Sequence, residues 1–415
     1  MSKLTGTVDE QLKRLRRGAA DIVPEEELKD MLKQSLDKQQ PLRVKLGLDP
    51  TAPDIHVGNA LPLHKMRRFQ DLGHHAVLII GDFTATVGDP SGQNEMRPTL
   101  SHEEIAEHAQ TYLDQVGKIV DLDEAEIVRN SKWFNEMTFE DMLELSARLT
   151  VARCLERDDF RKRLDEGRTV GLHELMYPLM QAYDSVKIKS DVELGGTDQI
   201  FNIMLGRELQ RQMGQRPQVA VTNPLLEGLD GSAKMSKSKG NYIGISEPAD
   251  QMFGKAMSIP DHLMEKYFIL ATDLPMDRIR HLLSDEVHPR KAKGELASAI
   301  VKRYYDEETA CQAAAQFDKV FKDRELPDEM PELEVPAGEI EGGEVWPVKL
   351  LRLADVAQSN SQARRLISQG GVSIGQDADS LDVIEDANTD IEIKDGEILK
   401  VGKKRFFRLR TPDIS

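Results

Sequence analysis

The stretch from Leu42 to Phe83, LRVKLGLDPTAPDIHVGNALPLHKMRRFQDLGHHAVLIIGDF, determines the fold class of this chain. Alternating β-formers run to an Asp-Pro turn, a helical pattern extends from Pro62 to Gly73, and the apolar run AVLIIGDF follows. A continuous apolar run of this kind is typical of a strand that a parallel sheet buries on both faces. The order strand, helix, strand predicts an α/β fold of the Rossmann type with a nucleotide site at the carboxyl ends of the strands.

The composition of the 415-residue chain is that of a globular protein, with 39% hydrophobic and 31% charged residues. A chain of this length predicts two or three domains. No apolar run approaches the roughly 20 residues that a membrane span requires, and the polar N-terminal segment has no apolar signal core. Cys154 and Cys311 form no CxxC pattern, which disfavours a disulfide framework or a zinc ribbon and favours a cytoplasmic location.

The net charge of -17 argues at first sight against a nucleic-acid partner. Residues 346–415, however, contain 11 Lys and Arg against 11 Asp and Glu and carry none of the acidic excess. Their basic residues cluster at Arg364 and Arg365 and again from Lys403 to Arg410. Phosphates respond to a local patch within a Debye length of about 8–10 Å, so this C-terminal segment can bind RNA despite the acidic body.

His56 and Asn59 flank Gly58 in the string HVGN, just before the predicted helix. Their spacing places both side chains at the helix N-terminus, where free N–H groups and the helix dipole favour phosphate. Taken alone, such a string is more often ordinary loop sequence than a ligand site. The polar turn from Asp49 to Asp54, at the end of the preceding strand, favours a nucleotide site here.

The string KMSKS supplies Lys234 and Lys237 on a loop that Gly228 and Gly231 precede. One interpretation is a flexible basic loop of the kind found on many protein surfaces. The other is a mobile clamp that meets a leaving pyrophosphate, because lysines are point charges on flexible stems. The glycines give the loop the conformational freedom that a clamp requires. The two strings together, in this order, favour the clamp.

With further motifs, these strings make the chain similar to the bacterial tyrosyl-tRNA synthetases of class I, from about residue 20 to the end. The motifs that carry the resemblance are LGLDPTAPDIHVGN, GDFTATVGDPSG, YPLMQAYDS, ELGGTDQ and LLEGLDGSAKMSKS. The resemblance implies an enzyme that activates L-tyrosine with ATP to tyrosyl-adenylate and pyrophosphate. It then transfers tyrosine to the 3′ end of tRNA(Tyr). The resemblance also implies a Rossmann catalytic domain and a homodimer.

The resemblance implies a set of site residues, carried over position by position. The catalytic residues would be Thr51, His56, Asn59, Lys234 and Lys237. ATP would also be bound by Asp49, Gly58, Gly196, Asp198 and Ser238, with the ribose on Asp198. Tyrosine would be bound by Asp89, Tyr177, Gln181, Asp184 and Gln199. In the family, the first three of these positions surround the α-ammonium group, and the position of Asp184 accepts a hydrogen bond from the phenol hydroxyl.

Tyr177, Gln181 and Asp184 are spaced i, i+4 and i+7, which places them on one helix face. An acceptor that reads the phenol hydroxyl stays unpaired when phenylalanine binds, and an unpaired buried group costs more than lost packing. Two positions depart from the family pattern. Lys45 stands where the more familiar branch has a Tyr on the substrate hydroxyl, which leaves the second partner of that hydroxyl unidentified. Asn59 stands where many relatives have a second His.

The expected domains are a helical N-terminal segment, a catalytic domain with a helical insertion, a helical domain, a Pro- and Glu-rich linker and a C-terminal module. Their predicted bounds are 1–35, 36–246 with the insertion at about 120–180, 247–323, 324–347 and 348–415. The last module resembles the small alpha-L type RNA-binding domain, which implies tRNA contacts by Arg364, Arg365, Lys403, Lys404 and Arg405. The plainer interpretation of this module is a capped helix pair with exposed arginines.

ATP is expected together with Mg²⁺, which phosphate oxygens and water would bind. The sequence has no His, Cys and Asp cluster that indicates a protein-bound metal, and no membrane partner is expected. Two alternatives stay open. A tryptophanyl-tRNA synthetase shares the fold and both strings, although it needs no acid directed at a phenol. A non-catalytic RNA-binding relative would carry decayed strings, whereas here His56 and both lysines are intact.

Overall fold

The computed structural model describes residues 3–50, 54–90, 102–322, 330–340, 342–376, 380–402 and 405–412. The chain divides into two compact units, Met1–Ala310 and Cys311–Ser415. Within these described ranges no helix is both long and apolar enough to cross a membrane.

A six-stranded sheet lies at the centre of the first unit, as far as the described residues show. Its strands are β1 (Asp21–Val23), β2 (Arg43–Leu48), β3 (His75–Ile80), β4 (Glu126–Arg129), β5 (Val192–Gly196) and β6 (Val219–Asn223). They lie side by side in the order β1-β6-β5-β2-β3-β4, with β1 antiparallel to β6 and all other neighbours parallel. This order confirms the predicted Rossmann-type sheet. The N-terminal segment, predicted as helical, also contributes the edge strand β1.

The helices of the first unit connect and flank these strands. They are α1 (Val8–Arg16), α2 (Glu25–Lys38), α3 (Val57–Asp71), α4 (His102–Val116), α5 (Ser131–Phe134), α6 (Phe139–Ser146), α7 (Val151–Cys154), α8 (Asp158–Asp165), α9 (Leu172–Ile188), α10 (Ile200–Gln212), α11 (Ala249–Ala256), α12 (Met264–Ala271), α13 (Met276–Leu282) and α14 (Pro289–Tyr304). A further helix, α15 (Glu307–Lys322), contains the division between the units.

The helix α3 begins earlier than the sequence predicts. It starts at Val57, with His56 as its N-cap, and Pro62 lies inside it. A start near Pro62 is therefore wrong, because the His56 side chain caps the helix well before the proline. The helix ends at Asp71, and Gly73 follows with φ +89°, a left-handed conformation that favours glycine.

The strand β3 is buried on both faces, which confirms the interpretation of its apolar run. All of its residues from Ala76 to Ile80 are at most 1% exposed. Val77 and Ile79 pack against α9 residues Tyr177 and Met180. Because side chains alternate along a strand, the other residues of β3 face the opposite side of the sheet. The helix α9 therefore packs across one face of the sheet, with Tyr177 near the carboxyl end of β2 and Ile188 near its start.

After α15, the described residues of the second unit include a small mixed sheet and two helices. Its elements are β7 (Glu332–Glu334), β8 (Glu344–Val345), α16 (Pro347–Leu353), α17 (Asn360–Ser368), β9 (Val372–Gly375), β10 (Asp382–Val383), β11 (Ile391–Glu392), β12 (Ile398–Val401) and β13 (Arg405–Arg410). The sheet order is β10-β9-β12-β13-β7, and β11 pairs with β8. Thus β7 and β8, which lie in the stretch predicted as a linker, pair within this unit. Val348, Leu351, Ile367 and Leu399 belong to its core.

Candidate active site

The candidate site lies where β2, β3 and β5 end, at the carboxyl edge of the sheet. Asp49 follows β2, Gly81 follows β3, and Asp198 follows β5. A Cβ atom added at Gly81 would overlap the carboxylate of Asp49 and the hydroxyl of Thr84. The absence of a side chain at this position therefore allows the Asp49 carboxylate to lie directly over the end of β3, where it accepts a hydrogen bond from Thr84 Oγ1 at 2.8 Å.

His56 is held by the first turn of α3. Its Nδ1 accepts the backbone N–H of Asn59 at 3.2 Å, so the proton of the neutral ring lies on Nε2. Burial, with smaller contributions from Lys234 and Lys237, lowers the pKa of His56 to about 4. The imidazole is therefore neutral near pH 7, and its Nε2–H is a hydrogen-bond donor at the N-terminus of a helix.

The HVGN and KMSKS strings are brought together by backbone pairing. The Val57 N–H donates to the carbonyl of Ile243 at 2.9 Å, and the Ile245 N–H donates to the carbonyl of Ile55 at 3.0 Å. The chain just after KMSKS thus runs antiparallel beside the chain around His56. The two signatures, far apart in sequence, form one surface at the sheet edge.

The KMSKS loop is anchored by Met235 and Asn241. Met235 is 1% exposed, and Asn241 Oδ1 accepts the backbone N–H of Ser236 at 2.8 Å. The Asn241 amide also donates to the carboxylate of Asp230 at 2.7 Å. Gly231 and Gly240 have positive φ angles of +80° and +65°, which a residue with a side chain adopts at a cost.

The two lysines of this loop reach back to the sheet edge. Lys234 Nζ lies 2.7 Å from the Asp198 carboxylate, and Lys237 Nζ lies 2.7 Å from that of Asp54. Both ion pairs are partly exposed, and such pairs contribute only about 0–1 kcal/mol. The ammonium groups can therefore exchange these carboxylates for a phosphate at little cost.

Asp184 is buried on α9. It accepts hydrogen bonds from Trp133 Nε1 at 3.0 Å and from Asn130 Nδ2 at 3.3 Å. Burial raises the pKa of Asp184 to about 7, although Lys45 and these two hydrogen bonds oppose the rise. The sequence reasoning missed Asn130 and Trp133. The signal that could have found them is their position directly after β4, at the same edge as the other site residues.

The remaining residues proposed for tyrosine fall into two hydrogen-bonded groups, one at Tyr177 and one at Gln181, Gln199 and Asp89. Tyr177 donates its hydroxyl proton to Asp49 at 2.6 Å, which joins an ATP-side residue to a tyrosine-side residue. Gln199 Nε2 donates to Asp89 at 2.7 Å. Asn202, which the sequence reasoning also missed, donates to Oε1 of Gln181 at 2.8 Å and of Gln199 at 3.2 Å.

The other predicted site residues are located as follows. Gly58 is in the first turn of α3, Gly196 ends β5, and Ser238 lies in the turn after Lys237, where its hydroxyl is 2.8 Å from that of Ser236. Arg364 and Arg365 are exposed on α17, and Arg405 is exposed on β13. Thr51, Lys403 and Lys404 lie outside the described residues. Within the described part of the chain no group of three His, Cys, Asp or Glu residues is arranged for a metal ion.

The sequence model of a family described as tRNA synthetases class I (W and Y) matches residues 37–322. The tyrosine–tRNA ligase of Moorella thermoacetica is 49% identical over 413 residues, covering 99% of this chain and 98% of the relative. That of Carboxydothermus hydrogenoformans is 50% identical over 404 residues, covering 96% and 97%. The chain belongs to the bacterial tyrosyl-tRNA synthetases of class I. The sequence left open a tryptophanyl enzyme and a non-catalytic relative. Because these relatives are tyrosine–tRNA ligases, the comparison favours neither alternative.

Solved structures of tyrosyl-tRNA synthetases share the fold at low identity. A C-terminally truncated mitochondrial enzyme of Aspergillus nidulans aligns with a TM-score of 0.62 and 22% identity, over 76% of this chain and 95% of that chain. The enzyme of Archaeoglobus fulgidus, solved with L-tyrosine, aligns with a TM-score of 0.58 and 23% identity, over 74% of this chain and all of that chain. These likenesses support the α/β architecture of the synthetase fold.

Proposed function

We propose that this synthetase forms tyrosyl-adenylate at the carboxyl edge of its sheet, with the residue roles given below, and then transfers tyrosine to tRNA(Tyr). The observation that carries the proposal is the surface shared by HVGN and KMSKS, together with the hydrogen bonds that link Asp184 through Asn130 and Thr84 to Asp49. A nucleotide on that surface would place its α-phosphate next to the carboxylate of a tyrosine in the pocket. This proximity is the main requirement of an in-line attack.

Adenylate formation requires stabilisation of negative charge on the leaving pyrophosphate. His56 is neutral, so it acts as a hydrogen-bond donor through Nε2–H rather than as an acid. When the ribose takes Asp198, Lys234 is released from its ion pair toward the phosphates. Lys237 likewise exchanges its ion pair with Asp54 for a contact with phosphate. The Asn59 side chain adds a donor to the phosphates, whereas the backbone N–H groups of Val57 and Asn59 already donate to Ile243 and to the His56 ring.

Mg²⁺ would accompany ATP in this proposal. It would bind phosphate oxygens and water, because Mg²⁺ gives up its hydration shell reluctantly and ATP supplies the charged ligands. The ion would neutralise charge on the β- and γ-phosphates. Asp49 follows β2 at the same edge, and we assign it, together with Thr51, to the ATP side of the site.

Tyrosine would lie along α9 with its phenol toward Asp184. The α-ammonium group would meet Asp89, Tyr177 and Gln181, and Gln199 would complete this end of the pocket. Trp133 and Asn130 donate to Asp184 and so hold its oxygens toward the substrate hydroxyl. Phenylalanine would leave that carboxylate without the phenol donor.

The test of this function is ATP–pyrophosphate exchange without tRNA, with tyrosine, phenylalanine and tryptophan offered separately. We expect exchange with tyrosine and little with the others. Exchange with tryptophan would assign the pocket to the neighbouring specificity. Absence of exchange in a folded sample would contradict the adenylation proposal.

A homodimer is part of the proposal, and exposed apolar side chains in the insertion support it. Those among the described residues from β4 to the start of α9 are Ile127, Phe139, Leu143, Val151, Leu164 and Leu172. Exposed apolar groups concentrated in one segment are typical of an association surface. Phe139→Glu should yield monomers in light scattering, whereas Val383→Glu, at an exposed apolar position in the second unit, should leave the dimer intact. If the Phe139→Glu variant remained a dimer, that result would contradict the assignment of this surface as the dimer interface.

We propose that the module 348–415 binds the tRNA through Arg364, Arg365, Lys403, Lys404 and Arg405, and that residues 36–246 form the catalytic domain. The exposure of the two arginines on α17 supports this role. Removal of the residues after Val348 should abolish tRNA charging while exchange continues. Equal loss of both activities would contradict it. The enzyme would act in the cytoplasm, where tRNA is charged.

A further inference from the structure

Lys45 and Glu193 form an ion pair inside the sheet. They are directly opposite each other on the parallel strands β2 and β5, and Lys45 Nζ lies 2.9 Å from Glu193 Oε1. The side chains are 0% and 1% exposed. Apolar residues of similar volume are often as stabilising as a buried ion pair, because desolvation offsets the attraction. Stability is therefore a weak explanation for two charges in the centre of this sheet.

Both charged groups contact the turn of α9 that carries the tyrosine residues. Lys45 Nζ also donates to the carbonyl of Gln181 at 2.9 Å and to Ser185 Oγ at 2.8 Å. Glu193 accepts hydrogen bonds from Gln181 Nε2 at 3.0 Å, from Ser185 Oγ at 3.0 Å and from Gln218 Nε2. The pair thus holds both ends of the segment 181–185, and Asp184 lies within that segment.

The contact with Gln181 also fixes the direction of its amide. Its Nε2 is taken by Glu193 and its Oε1 accepts from Asn202. Without a carboxylate at residue 193, the amide could rotate and exchange its donor and acceptor. The face of Gln181 presented to a substrate ammonium group would then change.

We propose that Lys45 and Glu193 are positioning residues for tyrosine, which set the Gln181 amide and hold Asp184 in place and in its charged form. The inference rests on the proposed function, since it concerns the same pocket. Neither residue needs to touch the substrate to act in this way. The pair acts on tyrosine indirectly, because it positions Gln181 and Asp184 instead of forming a hydrogen bond with the substrate.

The positive charge of Lys45 affects the protonation of Asp184. Lys45 lowers the pKa of Asp184, opposing the larger effect of burial, and Asp49 raises it. Tyr177, whose pKa burial raises well above its usual value, is neutral near pH 7, and Glu193 is paired with Lys45 itself. Tyr177 and Glu193 therefore contribute no positive charge near Asp184. Among the described residues, Lys45 is the cation that lowers the pKa of Asp184 and so favours its carboxylate form.

The test is the double variant Lys45→Met/Glu193→Gln, which removes both charges and leaves neither unpaired. Tyrosine KM in ATP–pyrophosphate exchange should rise about tenfold, the loss expected for one misplaced hydrogen bond, while ATP KM stays within twofold. The acid limb of the pH profile of kcat/KM for tyrosine should move to higher pH, because Asp184 loses the Lys45 charge that lowers its pKa and the loss of Glu193 offsets this only in part. A merely structural role would not move that limb.

A matched control is the double variant Arg163→Met/Glu174→Gln. This pair is also buried, at 2% and 6% exposure, and Glu174 is also on α9, but the pair's further hydrogen bonds are to Thr169 and Gly171 rather than to residues 181–185. It should leave the acid limb in place. Ser185→Ala provides a second test if the first variant does not fold, since it removes the hydroxyl between the two charges and keeps the pair. We expect it to raise tyrosine KM severalfold.

The outcomes separate this inference from the proposed function. Exchange in the wild-type enzyme with an unchanged tyrosine KM and pH profile in both test variants would overturn the inference alone. An equal rise in the KM values for tyrosine and ATP would also overturn it, since the effect would then be general. Absence of tyrosine-dependent exchange in the wild-type enzyme would overturn both.

Discussion

Lys237 Nζ lies 2.7 Å from the carboxylate of Asp54, which joins the KMSKS loop to the turn before His56. The residues are 183 positions apart, and the contact exists only because the loop after KMSKS pairs with the chain around His56. The same arrangement recurs between Lys234 and Asp198. Each lysine thus has a weakly bound carboxylate partner at the edge where phosphate is expected.

Replacement of either lysine should slow adenylate formation more than it weakens tyrosine binding. Lys234→Ala and Lys237→Ala each remove a cation that meets charge developing on pyrophosphate, so kcat for exchange should fall by about 10²–10³-fold. Tyrosine KM should change little. Lys239→Ala, at an exposed lysine of the same turn, is the control and should retain activity. A loss confined to tyrosine KM would contradict the clamp.

Removal of the Asp54 carboxylate should strengthen ATP binding. In Asp54→Asn, Lys237 no longer leaves an ion pair to meet phosphate, and such an exposed pair is worth about 0–1 kcal/mol. ATP KM should therefore fall by up to about fivefold, with little change in the free energy of unfolding. A rise in ATP KM would show that Asp54 has a direct role in the site.

Asn202→Leu should weaken tyrosine binding selectively. Asn202 orients the amides of Gln181 and Gln199, and Arg157 in turn donates to Asn202 Oδ1 at 3.1 Å. Loss of these hydrogen bonds should raise tyrosine KM about tenfold and leave ATP KM within twofold. Gln11→Leu, at a buried polar side chain far from these residues in sequence, should change stability without that selectivity. A larger rise in ATP KM than in tyrosine KM would contradict the orienting role of Asn202.

His74 should make the enzyme less stable in acid. Burial lowers the pKa of His74 to about 4, below the usual 6.5, so the unfolded state binds more protons between these values. Stability is then lost as the pH falls below about 6.5, by up to about 1.4 kcal/mol per pH unit for this residue. His74→Gln retains an acceptor for Leu42 N–H and a donor for Gln11. Urea unfolding at pH 6.5, 5.5 and 4.5 should show a shallower decline in the variant, and parallel declines would disprove this assignment.

Local patterns in the sequence determined the fold class, the family and the face of α9. The apolar run of β3 and the i, i+4, i+7 spacing of Tyr177, Gln181 and Asp184 are short-range features, and a helix or strand expresses them with little help from the rest of the chain. The start of α3 was predicted too late because the side chain of His56, rather than a usual Ser, Thr, Asp or Asn, caps it.

Only the tertiary structure decided which residues hold these groups in place. Trp133 and Asn130 reach Asp184 from the segment after β4, and Lys45 meets Glu193 because β2 and β5 become neighbours in the sheet. No local pattern marks such pairs, since the strand order and register that bring them together follow from burial of the whole sheet. The sequence therefore determined which chemical groups are available, and packing determined their orientation and charge.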